Sequence, residues 1–142
     1  MTTLARSVKG EKTFQSLPPA TRDDVAAAPT NGHDCSGFDE ATVEFEVGAT
    51  DITVDGKVQE SDDDGVADAY ADIPGAAVTQ FSATDDNKIK AISINMMGRK
   101  KFLKPIMTVG DGSVGAICAV RVRLSKAGQQ PTAHGYAQLV EV

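Results

Sequence analysis

The side chains of this chain that are best suited to chemistry are carboxylates crowded into one short stretch. They are Glu60, Asp62, Asp63, Asp64 and Asp68. Because hard oxygen ligands concentrated in a turn suit Ca²⁺, Asp62, Asp64 and Asp68 are candidate ligands. The EF-hand pattern fails, since aligning Gly65 with its glycine puts Ala71 where the bidentate glutamate belongs. We therefore favour a solvated hairpin tip and expect no cofactor.

The residues that catalysis usually needs are sparse. His33 and His134 are the only histidines, and both fall in irregular stretches that contain glycine or proline. No nucleophile elbow, phosphate-binding loop or dinucleotide fingerprint is present. Cys118 lies in an alternating apolar run and is predicted to be a core residue, whereas Cys35 lies in a polar loop and is predicted to be a free thiol. A bridge between the two cysteines is the less favoured alternative. We predict that the chain is not an enzyme.

Charge is distributed unevenly along the chain. The net charge is +3 over residues 1–22, −14 over residues 23–75 and +5 over residues 76–142, which gives −6 in total. An acidic middle repels phosphates, so a nucleic-acid partner is not expected. No apolar run is long enough to cross a bilayer, and the first ten residues do not resemble a secretory signal. We expect neither membrane association nor export, and synthesis in a host cytoplasm.

The basic residues are candidates for contact with an acidic partner or a sister subunit. One group, which we call the Arg99–Lys104 group, lies on or beside a single predicted strand and consists of Arg99, Lys100, Lys101 and Lys104. Arg121 and Arg123 are predicted to lie near it on the next strand. The alternative is a charged solvent face or an edge strand guarded by lysines. The complete set of candidates is Arg6, Lys9, Lys12, Arg22, Arg99, Lys100, Lys101, Lys104, Arg121 and Arg123.

Apolar residues alternate with polar ones from Ala41 onward, which predicts β-strands. The alternation is clearest over residues 41–47, 89–97 and 114–124, and turn residues recur about every ten positions. Gly110-Asp111-Gly112 predicts a hairpin between the last two of the longer strands, Gly56 is interpreted as a bulge, and residues 136–142 are predicted to be a terminal strand or arm. The fold is predicted to be all-β, an antiparallel sandwich or jelly roll.

The predicted organisation has three parts. Residues 1–38 contain Pro18, Pro19 and Pro29 and are expected to be an extended arm that is dispensable for folding. Residues 39–126 form the sandwich, and residues 127–142 form a C-terminal tail or strand. The predicted core residues are Val43, Phe45, Val47, Ile92, Ile94, Phe102, Ile106, Val120 and Val122, together with the run Val114, Ala116, Cys118 and Leu124.

Several segments in a fixed order resemble a known family. They are Leu17-Pro18-Pro19-Ala20-Thr21-Arg22, Asn31-Gly32, Gly37-Phe38, Ala41 to Gly48, Val58 to Asp63, Tyr70 to Ala76, and Gly98 to Leu103 with the strand Ile106 to Val109. Over roughly residues 14–125 the chain resembles the small β-sandwich head proteins of tailed bacteriophages and prophages. It departs from that family's pattern at Asp64, which is inserted before Gly65, and beyond Lys126.

The resemblance implies a structural protein of the virion. Such proteins decorate or cement the outer surface of the phage head, contact the major capsid protein, and assemble as trimers or other small symmetric oligomers. A tail or connector component and a host-glycan-binding β-sandwich are the alternatives. The glycan reading would need exposed aromatic side chains, for which Tyr70, Phe81 and Tyr136 are the candidates.

Overall fold

The computed structural model describes residues 11–126 and 135–142, which form ten β-strands and no helix. The strands are β1 (Glu11–Arg22), β2 (Val25–Ala27), β3 (His33–Asp34), β4 (Glu40–Thr50), β5 (Val54–Ser61), β6 (Ala71–Ala77), β7 (Lys88–Asn95), β8 (Phe102–Val109), β9 (Ala116–Ser125) and β10 (Gln138–Glu141).

The strands form two sheets with the connectivity of a jelly roll. Sheet A has the order β1-β9-β4-β7-β10, and sheet B has the order β2-β8-β5-β6, with β3 also paired to β8. If β2 and β3 are counted as one interrupted strand and β10 as an addition, each sheet contains four interleaved strands of a double Greek key. The predicted all-β sandwich is confirmed. The one exception to antiparallel pairing among the described strands is β10, which runs parallel to β7.

The core lies between the two sheets, as the alternation predicts. Seven of the predicted core residues are buried: Val43, Phe45, Val47, Ile92, Ile94, Val120 and Val122. Cys118 and Leu124 are also buried, whereas Val114 precedes β9 in the loop from β8 and is 72% exposed. The predicted terminal strand is confirmed as β10, and Val140 and Val142 pack against the core.

The interior face of β8 is the opposite of the predicted one. Leu103 and Met107 are fully buried, whereas Phe102 and Ile106 are half-buried on the other face. Both faces of this strand carry apolar residues, so periodicity alone could not choose between them. The register with β5 determines which face of β8 is interior, because Met107 pairs with Gly56, which lies on the inward side of β5.

Two predictions about glycine-containing segments, one hairpin and one bulge, are wrong. The loop that contains Gly110-Asp111-Gly112 does not close a hairpin, because β8 lies in sheet B and β9 in sheet A. Asp51 stabilises this crossing by accepting the N–H groups of Ser113, Val114 and Gly115 at 2.9–3.0 Å. Gly56 is not a bulge residue either, since its pairing with β8 is regular.

The prediction of an irregular segment is wrong for residues 11–22. They form β1, the longest strand, which pairs with β9 along its whole length and buries Leu17. Two register shifts, at Gln15/Leu17 and Leu17/Ala20, interrupt the alternation that would have revealed a strand. Pro18 and Pro19 are tolerated because β1 is an edge strand. Deletion of residues 1–30 would therefore remove part of the fold.

A cluster around His33 ties β1 to sheet B. The His33 ring stacks on Phe14 with 4.4 Å between centroids, and its Nε2 lies 2.9 Å from the Ser16 hydroxyl. Ser16 is 6% exposed and His33 is half-buried, so the pair contributes to packing between β1 and sheet B. Burial lowers the pKa of His33, and the nearby charge of Asp64 opposes that shift.

Truncation of neighbouring side chains on β8 tests which face is interior. Leu103→Ala should lower the free energy of unfolding by about 2–5 kcal/mol, because it empties a fully buried site. Ile106→Ala is the matched control and should cost less than half as much, since Ile106 is half-buried. Urea denaturation of both variants measures the difference. Equal losses would contradict the assignment of the two faces.

The depressed pKa of His33 predicts a pH dependence of stability. Above about pH 6.5 the ring is neutral in both folded and unfolded chains, and as the pH falls the unfolded chain takes up the proton more readily. The free energy of unfolding should therefore decrease between about pH 7 and pH 5. The aspartates whose pKa values are lowered, such as Asp85 at about 2, act in a separate window below about pH 4.

Urea denaturation across this pH range assigns the effect to one residue. His33→Phe keeps an aromatic ring beside Phe14 and should flatten the dependence between pH 7 and pH 5. His134→Gln removes the other histidine and should leave the dependence in place. An unchanged slope in His33→Phe would contradict the assignment.

Candidate contact surfaces

The acidic turn between β5 and β6 is ordered by its own carboxylates. Asp63 accepts backbone N–H groups from Val66, Ala67 and Asp68 at 3.1, 2.8 and 3.0 Å. These hydrogen bonds favour the charged carboxylate and lower the pKa of Asp63. The Ser61 hydroxyl, buried under the turn, donates to the carbonyl of Asp68 at 2.6 Å. The turn is therefore a folded structure rather than a loose hairpin tip.

Two of the three candidate calcium ligands, Asp64 and Asp68, accept hydrogen bonds from donors of the protein. Asp64 accepts the Tyr70 hydroxyl at 2.6 Å and the N–H of Gly32 at 2.8 Å. Asp68 accepts the N–H of Asp62 at 2.9 Å and the Lys100 ammonium at 2.7 Å. Within residues 11–126 and 135–142 no three His, Cys, Asp or Glu side chains are grouped so that they could hold a metal ion. These two carboxylates therefore connect the turn to Gly32, Tyr70 and Lys100.

Two of the candidate basic residues form ion pairs with this same acidic region, and a third lies over an aromatic ring beside it. The Arg99 guanidinium lies 3.5 Å from Glu60, and the Lys100 ammonium forms the 2.7 Å ion pair with Asp68. The Lys104 ammonium lies 4.5 Å from the centroid of the Tyr70 ring. Two cations of the basic second half are therefore paired with carboxylates of the acidic middle.

Arg121 and Arg123 do not lie near the Arg99–Lys104 group. They lie on β9 in sheet A, whereas β8 belongs to sheet B, so the predicted single basic face is wrong. Both flank Glu44 of β4, with Arg121 at 3.0 Å and Arg123 at 3.5 Å. Glu44 is 4% exposed, and apart from the Arg123 ion pair its Oε1 accepts no hydrogen bond from the described residues. Two arginines thus compensate one buried carboxylate on the outer face of sheet A.

Arg22 has a structural role at the end of β1. Its guanidinium donates to the carbonyl of Cys118 at 2.7 Å and to the carbonyl of Pro18 at 2.9 Å. These bonds lie beside the second register shift of β1, where regular pairing with β9 is interrupted. Arg22 therefore supplies donors to the backbone at an irregular part of the sheet.

Lys12 and Lys101 are exposed and form no ion pair with the described residues. The Lys12 ammonium lies 4.8 Å from the centroid of Phe14, and the Lys101 ammonium lies 5.6 Å from that of Phe102. Both act on Asp34, whose pKa is lowered mainly by hydrogen bonds from Ser36 and further by the two lysines. We call Lys12, Phe14, Asp34, Lys101 and Phe102 the Lys12–Lys101 edge. Arg6 and Lys9, the remaining candidates, lie outside the described residues.

The sequence did not reveal the aromatic half of this edge. Phe14 was assigned to an irregular arm, and Phe102 to the core. One sequence pattern could have indicated these rings. A lysine lies two residues before Phe14 and another lies next to Phe102, and at these spacings a cation can lie over a ring.

Both cysteines have buried side chains. Both thiols are free, so Cys35 is a free thiol as predicted; it lies in the polar loop between β3 and β4, with its side chain buried. Burial raises the pKa of Cys35 to about 12, and its thiol lies 3.3 Å from the carbonyl of His33. A protonated, buried thiol is a poor nucleophile.

Exposed apolar side chains and one shallow depression mark the ends of the sandwich. Met97, 79% exposed, and Val66 lie in loops at one end, whereas Val25, Val114 and Ile117 surround the other. A depression of about 430 Å³ opens beside Met97 and is also lined by Asp39, Glu40, Ser93, Asn95, Glu141 and Val142. The part of the chain that the structure describes contains no apolar helix of membrane-spanning length.

Comparisons with known proteins give distant structural likenesses. No family model matches the sequence, and no curated protein matches it significantly. Among solved structures the chain is similar to one of infectious bursal disease virus Gx strain, with 11% identity and a TM-score of 0.40 over 84% of this chain and 32% of that one. This chain thus spans about a third of the length of that protein.

Two further solved structures show weak likenesses to the chain. The tobacco streak virus coat protein dimer shows 13% identity and a TM-score of 0.38, over 89% of this chain and 94% of that one. The CBM22-1 xylan-binding domain of Paenibacillus barcinonensis Xyn10C shows 14% identity and a TM-score of 0.35, over 84% of each chain. The architecture of this chain is that of a two-sheet β-sandwich.

Proposed function

We propose that the protein is a structural component of a virion, a decoration or cement protein that binds the outer surface of a tailed-phage head. Its partners would be the major capsid protein and further copies of itself in a small symmetric oligomer. The ordered sequence resemblance supports this role. The observation that carries the proposal is the Lys12–Lys101 edge, where two exposed ammonium groups remain available next to half-buried aromatic rings.

The edge would bind an acidic surface on the capsid. Complementary charge steers the approach and fixes the orientation of a partner, and the phenyl rings supply apolar area beside each cation. Arg6 and Lys9 precede Lys12 in the sequence and would add positive charge to the same contact. In contrast, most of the other candidate cations are bonded within the chain and would have to lose those partners in order to bind.

Stabilisation of the head would come from many weak contacts. Each copy that bridges neighbouring capsid subunits makes its second contact at a high effective concentration, so modest affinities combine into firm attachment. A jelly roll suits this role because its rigid sheets fix the positions of the contact residues. The net charge of −6 makes binding to nucleic acid the least favoured role for the surface.

The alternatives make different demands on the structure. A glycan-binding module needs exposed aromatic platforms, but Phe81 is fully buried and the Tyr70 ring lies under Lys104 with its hydroxyl bonded to Asp64. The Tyr136 hydroxyl lies 3.2 Å from the Arg123 guanidinium. A tail or connector component would use the same kind of charged edge and would differ in its ring symmetry.

Charge reversal at the edge tests the proposal. The Lys12→Glu/Lys101→Glu variant should bind purified heads at least about tenfold more weakly, because like charges would face each other in the contact. Lys57→Glu/Lys88→Glu changes the net charge equally at two sites outside the edge, each of which loses one surface ion pair, and should bind as the unmodified protein does. Occupancy measured by titration of heads that lack the protein gives both values.

The dependence on salt distinguishes the charged contact from an apolar one. Raising the ionic strength should weaken attachment of the unmodified protein, because screening shortens the range of the attraction.

Equal binding by the two double variants would contradict a role for the edge. A failure of all forms to bind heads would contradict the proposed function.

A further inference from the structure

We propose that the free edge of β10 pairs with β10 of a second copy, so that two A sheets join into one continuous sheet. This inference concerns a different surface from the Lys12–Lys101 edge and does not depend on binding to a capsid. It rests on a comparison of the sheet edges, because an unguarded edge strand is a template for pairing with another chain.

Three of the four sheet edges carry features that oppose pairing. In sheet A, β1 contains Pro18 and Pro19 and two register shifts. In sheet B, β6 contains Pro74 and Gly75, and the latter has a φ of +80°. The opposite edge of sheet B is divided into two short strands, β2 with three residues and β3 with two. Prolines, bulges and short strands are the usual means by which edges are protected.

The edge formed by β10 is also short, with four residues, but it is continuous and has no proline, glycine or register shift. Its sequence is Gln138-Leu139-Val140-Glu141, without proline, glycine or lysine, and the structure describes no strand on the side away from β7. Leu139 and Val140 are half-buried, so each retains apolar surface that a further strand would cover. β10 therefore offers a short, regular and partly apolar edge.

β10 is anchored well enough to serve as a template. It pairs with β7 over four residues, and the N–H of Ala137 donates to the carbonyl of Ile89 at 2.7 Å. The Gln138 side chain accepts the N–H of Thr79 at 2.9 Å, which ties β10 to the chain segment that follows β6. An edge strand held by β7 and by the segment that follows β6 can accept a partner strand without being displaced.

The sequence of β10 is compatible with pairing to itself. Two identical antiparallel strands are related by a two-fold axis perpendicular to the sheet, so paired residues lie on the same face. With the axis at Leu139, each Leu139 faces its copy and Gln138 faces Val140 of the second copy. Glu141 then faces residue 137 of the second copy, so the two glutamates do not oppose each other.

The depression beside Met97 would enlarge this contact. It opens next to Glu141 and Val142, the end of β10 that antiparallel pairing brings against the residues preceding β10 in the second copy. Met97 is 79% exposed there, and a flexible thioether adapts to varied partners. Since a four-residue strand pair is small by itself, this adjoining apolar surface is part of the proposed interface.

Sedimentation velocity on the full chain over a wide concentration range tests the proposal. The unmodified protein should form dimers, and Leu139→Lys should raise the dimer dissociation constant at least about tenfold, because two ammonium groups would lie directly opposite. Val114→Lys adds the same charge at the other end of the sandwich and should leave the constant unchanged. A protein that remains monomeric throughout, or equal effects of the two lysines, would overturn the proposal.

A disulfide trap provides a readout that does not rely on stability. Both native cysteines are buried, so Leu139→Cys introduces one accessible thiol at the proposed two-fold axis. Mild oxidation should convert this variant rapidly to a covalent dimer, whereas Val114→Cys should cross-link only slowly by collision. Equal rates for the two variants would show that the edges do not pair, even if the protein associates by another surface.

Discussion

The contact between Phe45 and Gly56 fixes the separation of the two sheets. Phe45 projects from β4, an interior strand of sheet A, and its ring lies against the backbone of Gly56 on β5, an interior strand of sheet B. A Cβ added at residue 56 would lie 2.7 Å from Cδ1 of the ring, which is closer than real contacts allow. The absence of a side chain at this position lets the sheets close over a large aromatic residue, and the rest of the core packs around that distance.

Around this core the charged residues mainly stabilise the fold. Asp63, Asp64 and Asp68 order the acidic turn, Asp51 holds the crossing from β8 to β9, and Glu44 is compensated by two arginines. A charge that is already paired within the molecule is a poor anchor for a partner, because binding would have to break the existing contact. The surfaces best suited to bind a partner are therefore those where cations or apolar groups are not already engaged within the molecule.

The sequence predicted the parts of the fold in which alternation is regular and one-sided. β4, β7 and β9 carry apolar residues on the face that proved to be interior, so their role in the core followed directly. β8 has apolar residues on both faces, and only its register with β5 shows that Leu103 rather than Phe102 is interior. β1 was missed because two register shifts disturb its period and two prolines argue against a strand.

The candidate site was less predictable, because residue type does not reveal which charges find partners. Arg99 and Lys101 are two positions apart, yet one is paired with Glu60 and the other is exposed beside Phe102. Arg121 was expected near them, but the crossing between sheets places it on the opposite side of the sandwich. Such pairings depend on contacts between residues far apart in the chain, which composition and spacing do not encode.

A cryo-electron microscopy reconstruction of tailed-phage heads mixed with this protein tests the proposed function most directly, namely that the protein acts through its outer surfaces on a virion. The account predicts two-sheet density on the outside of the capsid shell, with Lys12 and Lys101 turned toward an acidic surface of the shell. Particles without such density, or density in which that edge points to solvent, would contradict it.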